Sequence, residues 1–349
     1  MSITRRALIT ALVVAAASVA NTASLQAQSL ATELDVTGGY SSEDNVKAVA
    51  TQLRLFGEVA RGIRFNVEGT WARRTSNDTD AFGAAYPYGN RAEMSEAYGE
   101  RTFHPGRALV GIRLGQYRTP FGISGRGDYG YSGFLRAPLI RYDGYWSLTN
   151  NFLERGVDVI AGTSRLFVEA SLGRPGDLRG TYVRRPGLDR VVRVQGYYRA
   201  LVVGASHINT APYAPATYAK GRMAFTGIDA RWALGGVQLR GEWLHGQPWD
   251  GPTTNGWYAD AMVHRPFMGA VTAVFRSEQL DYSSKAQAFS WHGTPGYHEW
   301  QGRRHTAGGR IRLPGGVTAQ VNVIRQSPLL TEYGRTAVDV GLTYSIRGN

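Results

Sequence analysis

The stretch "TAVDVGLTYSIR", residues 336–347, decides how the rest of the chain is read. Val338, Val340, Leu342, Tyr344 and Ile346 alternate with Asp339, Gly341, Thr343, Ser345 and Arg347. A repeat of two belongs to a β-strand with one apolar and one polar face. What the apolar face touches fixes the class of protein: a core, a second sheet, or something outside the chain.

Working outward from that run, the same alternation recurs in sixteen segments. They lie near 31–40, 47–59, 62–74, 91–103, 107–118, 155–162, 164–173, 190–199, 200–209, 220–234, 236–247, 254–264, 267–282, 300–313, 316–327 and 335–347. The links between them alternate in length. "ARG" (60–62), "HPG" (104–106), "GG" (235–236), "RPF" (265–267), "PGG" (314–316) and the junctions at 163 and 199–200 are tight. Between them come 75–90, 119–154, 174–189, 210–219 and 283–299, with shorter links at 41–46, 248–253 and 328–334. Short turns at one end and longer loops at the other are the pattern of an outer-membrane barrel. A soluble sandwich has no reason to sort its loops this way.

The two faces support that reading. Ile63, Phe65, Val67, Gly69 and Trp71 oppose Arg64, Asn66, Glu68 and Thr70; Val237, Leu239, Gly241 and Trp243 oppose Gln238, Arg240 and Glu242. Val192, Val194, Gly196 and Tyr198 oppose Arg193, Gln195, Tyr197 and Arg199. A dry core cannot hold so many charges without heavy desolvation, whereas a wide aqueous lumen can. An arginine facing lipid at the bilayer midplane costs about 2–4 kcal/mol, which explains the exclusion of charge from the other face. Sixteen strands enclose a water-filled channel, where eight fill with side chains. Trp232, Tyr197, Tyr198 and Tyr344 near the short turns, and Trp71 and Trp257 near the long loops, fit interfacial girdles. The expected fold is an all-β transmembrane antiparallel barrel of about sixteen strands.

Composition bounds the compartment. "MSITRRALITALVVAAASVANTASLQAQ" carries Arg5 and Arg6, an apolar run from Ala7 to Ala20, then small residues. That is the layout of a secretory signal peptide, with cleavage expected after Ala27. Residues 28–349 then form one exported barrel domain in the outer membrane. There is no cysteine and the mean hydropathy is −0.27, so neither disulfides nor thiolate metal sites contribute. The net charge is +12, and three of the 39 basic residues are lysines (Lys47, Lys220, Lys285), the rest arginines. Such a surplus suits anionic partners: small anionic solutes, outer-membrane lipid and lipopolysaccharide. Export disfavours nucleic acid.

The longest link, "TPFGISGRGDYGYSGFLRAPLIRYDGYWSLTNNFLE" (119–154), mixes tyrosines, apolar residues and charge as an inward-folded constriction loop requires. "AYGERTF", "IRLGQYRTPFGI" and "ERGVDV" around it resemble the phosphate-selective porin O and P family of Gram-negative outer membranes. The resemblance covers roughly residues 95–160, and Gly115 to Gly122 is its most specific run. It implies a sixteen-stranded homotrimeric porin whose third outer loop folds into the pore. Arg118 and Pro120 match that run; Arg126, Arg136 and Arg141, with Tyr129 and Tyr131, fall in the loop expected to narrow the channel. The chain departs from the family in having no lysine between 48 and 219 and in ending "TYSIRGN", which leaves Tyr344 or Ile346 as the terminal assembly signal.

The expected activity is therefore passive diffusion of small hydrophilic solutes with a preference for anions. Arg54, Arg64, Arg113, Arg193, Arg231, Arg240, Arg276, Arg310 and Arg312 are the expected pore-wall arginines, alternating with Glu58, Glu68, Asp229, Glu242, Glu278 and Asp339. No catalytic residue, metal ligand or cofactor is expected. "GRGDYG" (125–130) lacks a strand–turn–helix context for a nucleotide site. Arg126–Gly127–Asp128 matches an adhesion tripeptide in its letters alone, and His292, His298 and His305 read as solvated loop residues rather than as a loop metal site. The rival readings are an outer-membrane barrel enzyme of the lipase or protease type, for which Ser206–His207 is a weak candidate, and a secreted β-sandwich that binds acidic glycans.

Overall fold

The computed structural model describes residues 29–75, 82, 92–123, 133–141, 153–175, 187–210, 224–247, 253–265, 270–282, 302–328 and 334–348. Every alternating segment becomes a strand: β1 Ser29–Ser41, β2 Lys47–Ala60, β3 Ile63–Arg74, β4 Ala92–Phe103, β5 Leu109–Arg118, β6 Leu153–Gly162, β7 Leu166–Pro175 and β8 Asp189–Tyr198. Then follow β9 Leu201–Asn209, β10 Ala224–Leu234, β11 Val237–Gln247, β12 Thr254–Arg265, β13 Val271–Tyr282, β14 Gly302–Arg312, β15 Val317–Pro328 and β16 Arg335–Gly348. Each pairs antiparallel with its neighbours in sequence, and β1 pairs with β16, so the sheet closes and leaves no edge.

The register settles the two faces, because cross-strand partners share a side of the sheet. Leu114, Ile228, Phe275, Val321 and Leu342 point outward and are between 47% and 58% exposed. Polar partners point inward, as in the row Glu58, Arg64, Glu100, Arg113, Asp158 and Ser171 across β2 to β7. The opening segment, now β16, places Val338, Val340, Leu342, Tyr344 and Ile346 outward. Its dry face is the outer wall of the barrel.

Two corrections concern the faces. Tyr197 keeps the inward side that alternation gives it, its hydroxyl 3.5 Å from Gln195, so it does not belong to the expected outer girdle and Tyr198 is the outward member of that pair. The inner face is also not uniformly polar. Val191, Ile208, Phe225, Leu244, Tyr258 and Leu280 sit at inward positions near the long-loop ends of β8 to β13, where Phe121, Leu139 and Ile140 cover them.

Local irregularities lie where the long loop begins. In β4, Ser95 is an extra residue, because Glu68 faces Glu96 while Gly69 faces Met94. Such a bulge frees ladder carbonyls. Gln116 recovers them, its Nε2 donating to the Met94 carbonyl at 2.7 Å and the Ser95 carbonyl at 3.3 Å. Gly115 beside it has φ of +133°, and a Cβ there would run into the Ala97 carbonyl oxygen, so this position is confined to glycine.

Candidate pore and its inner wall

The link from β5 to β6 enters the barrel, as the sequence led one to expect. Its described part, residues 133–140, is buried throughout and lies against the inner wall from β12 around to β2. Apolar contacts seat it. Phe134 packs on Met262 and Val274, and Leu135 on Val46, Ala48, Ala50, Ala72 and Phe82.

Its backbone groups, which would otherwise be buried without partners, are taken up by wall side chains. Asn322 accepts from the Leu135 N–H at 2.8 Å and donates to the Gly133 carbonyl at 3.0 Å. Arg276 donates to the Arg136 carbonyl at 3.0 Å and Arg304 to the Ala137 carbonyl at 2.5 Å. Glu278 accepts from the Leu139 N–H at 2.5 Å. The side chain of Arg136 completes the attachment: Nε reaches Asp339 at 2.7 Å, one terminal nitrogen reaches Glu43 at 2.5 Å and the other Ser41 at 3.2 Å.

Most of the expected wall arginines stand in ion pairs. Arg113 meets Glu100, Asp158 and Glu169 at 2.9–3.2 Å, and Arg193 meets Asp229 at 2.8 Å. Arg240 and Arg276 share Asp260 at 2.8 and 2.7 Å, and Arg276 also lies over the Phe134 ring at 4.0 Å. Arg54 pairs with Glu33 at 3.3 Å while keeping a quarter of its side chain exposed. Arg310 is buried.

Three of the set face the bore without a carboxylate within ion-pair distance among the described residues. Arg64 and Arg312 are exposed, and Arg231 is half-buried beside the neutral Gln195 amide, 2.9 Å away. Glu58 and Glu100 oppose Arg64 in register, but they turn to the Gly62 N–H and to Arg113. All three cations lie toward the short-turn end of their strands.

Of the expected constriction residues, Arg118 is tied to Glu68 at 3.0 Å and Glu96 at 3.6 Å. Arg136 is the buried anchor just described, and Arg141 ends a short 3-10 turn, Leu139–Arg141. Arg126, Tyr129 and Tyr131 lie outside the described residues. Sequence reading missed Arg304, Glu43 and Asn322 as attachment points. The inward parity of Arg304 and Asn322 was legible, but their loop partners are more than 160 positions away.

Ser206 and His207 fall on opposite faces, as adjacent strand residues must. Ser206 takes a hydrogen bond from Arg193 inside, and His207 meets Thr226 on the outside. No His/Asp/Glu cluster with metal-binding geometry occurs among the described residues. His305 faces outward on β14, and His292 and His298 lie outside the described residues.

The outward face also carries charge that the sequence reading excluded. Lys47, Arg73, Arg155, Arg174, Arg190, Arg303 and Arg325 stand on it at the long-loop ends of their strands, and Arg101 at the short-turn end of β4. Exclusion holds for the middle of the wall and not for its two margins, consistent with a cost that falls to about 0–1 kcal/mol near an interface.

The closed ring of sixteen strands with an in-folded loop is the porin fold. Among solved structures, the chain is similar to OmpF of Salmonella typhi in complex with daunomycin, at 11% identity and a TM-score of 0.58 over 91% of this chain and 97% of that one. It is likewise similar to two mutants of the Rhodopseudomonas blastica porin. Each is 13% identical and covers 91% of this chain and 99% of the other, with TM-scores of 0.51 and 0.52. No family model and no curated protein matches the chain.

Proposed function

We propose that the chain is an outer-membrane porin through which small hydrophilic solutes diffuse passively, with a bias toward anions. One observation carries this reading: a closed sixteen-stranded wall that is apolar outside and charged inside, with one loop bound to its inner surface. An apolar outer wall is stable against acyl chains, and a charged inner one against water. The same fold in OmpF and the R. blastica porin supports it.

The anion bias rests on Arg64, Arg231 and Arg312, whose charge the wall does not cancel, against Asp35 and Glu58 as half-exposed inward carboxylates. A unit charge in water acts on an ion 4 Å away with about 1 kcal/mol, enough to bias passage without trapping the ion. Kinship with the phosphate-selective porin O and P family is supported by the run Gly115 to Gly122. In this chain that run caps the β4 bulge and anchors the start of the loop. A homotrimeric assembly, contact with lipopolysaccharide, and export by a signal peptide removed after Ala27 belong to the same proposal.

The test is planar-bilayer recording under a salt gradient. The wild-type channel is expected to give a reversal potential of the anion-selective sign. The triple substitution Arg64→Gln, Arg231→Gln and Arg312→Gln is expected to move it toward zero with conductance retained. A cation-selective potential overturns the bias, and absence of any conductance overturns the channel.

A further inference from the structure

Arg155 on β6, Arg174 on β7 and Arg190 on β8 stand together on the outward face at the long-loop end, and all three are exposed. Arg155 and Arg174 are direct cross-strand partners, which sets their Cβ atoms about 4.5–5.5 Å apart. Arg190, opposite Leu172, lies diagonal to Arg174. Like charges facing each other across a ladder repel.

Among the described residues the register puts one carboxylate on the outward face, Asp281, which is far around the ring on β13. Gln116 accepts from Arg155 Nε at 2.6 Å, a neutral bond that orients the guanidinium without discharging it. The same device recurs across the barrel, where Arg303 Nε donates to Gln279 at 3.1 Å and Arg303 lies diagonal to Arg325.

One step toward the middle of each strand, on the same face, stand Val157, Leu172 and Val192, each more than two-fifths exposed. The patch is therefore cationic at its outer edge and apolar directly below. That profile matches an amphiphile with an anionic head and acyl chains rather than a dissolved ion. Guanidinium forks match phosphate oxygens in pairs.

We propose that Arg155, Arg174 and Arg190 form a binding site for the phosphate of a glycolipid in the outer leaflet around the barrel. The inference rests on the membrane-spanning reading above and adds a located lipid site to it.

The test uses the full-length protein and lipid A, followed by native mass spectrometry after a delipidating detergent wash. Wild-type protein is expected to retain lipid A, and the variant R155Q/R174Q/R190Q to retain it at least about tenfold less. Fully dephosphorylated lipid A is expected to be lost from both. The variant should keep wild-type conductance, which shows the barrel intact. If it fails to fold, Arg174→Gln alone is expected to give a partial loss.

Equal retention by the variant, equal retention of the dephosphorylated lipid, or complete release by millimolar inorganic phosphate would each overturn the site. Retention of lipid A by a wild-type protein that conducts no ions would instead sink the channel and leave the site standing.

Discussion

Arg136 is 3% exposed and Asp339 fully buried, so their bond is made out of reach of water, with Glu43 and Ser41 completing the guanidinium's partners. Removing one member of a buried pair leaves a charge unmatched and costs about 3–5 kcal/mol. Asp339→Asn is expected to lower the temperature at which the folded band disappears in heat-modifiability gels and to enlarge the single-channel conductance as the loop loosens. At Gly115 the constraint is backbone geometry. Gly115→Ala places a methyl group against the Ala97 carbonyl at φ of +133°. A strain of about 1–3 kcal/mol is expected from chemical denaturation. The inward parity of Arg113 and Arg193 was readable from alternation. Their neutralisation was not: Arg193 meets Asp229 across an intervening strand, and a linear pattern does not carry such distances.

At the scale of the strand, alternation located all sixteen elements to within a few residues, because one buried and one lipid-compatible face leave a period of two that nothing disrupts. It failed where inward positions are dry. Phe225, Leu244 and Ile208 break the polar row because residues of the long loop cover them, so the lumen is locally a core. Depth along the strand was also invisible: Arg155, Arg174 and Arg190 share parity with Val157, Leu172 and Val192, and differ in how far they sit from the middle of the wall. A contrast follows. Leu114→Arg, on the outward face in the middle of β5, is expected to cost about 2–4 kcal/mol in urea unfolding from lipid vesicles, while Arg174→Leu at the margin is expected to stay within about 1 kcal/mol of wild type.

For the molecule as a whole, closure is the property on which stability and the proposed conduction both depend. β1 and β16 pair over ten registered positions, Thr32 with Gly348 through Ser41 with Asp339. Deleting residues 336–348 would expose the backbone edges of β1 and β15 inside the membrane, where unpaired groups find no water. The truncated chain is expected to give no heat-resistant species and no conductance. Legibility was high for the tube and low for what lies within it. The strands repeat one rule sixteen times, whereas each loop contact is specific to a single place in the ring. Arg136 illustrates the difference, since it binds Asp339 on the last strand, Ser41 at the end of the first and Glu43 just beyond. It therefore straddles the seam where the two ends of the sheet meet. Its docking place comes into existence only when the final strand arrives. A barrel still open at that seam lacks the partner strand for this one side chain, and its in-folded loop keeps only the attachments on β13 to β15.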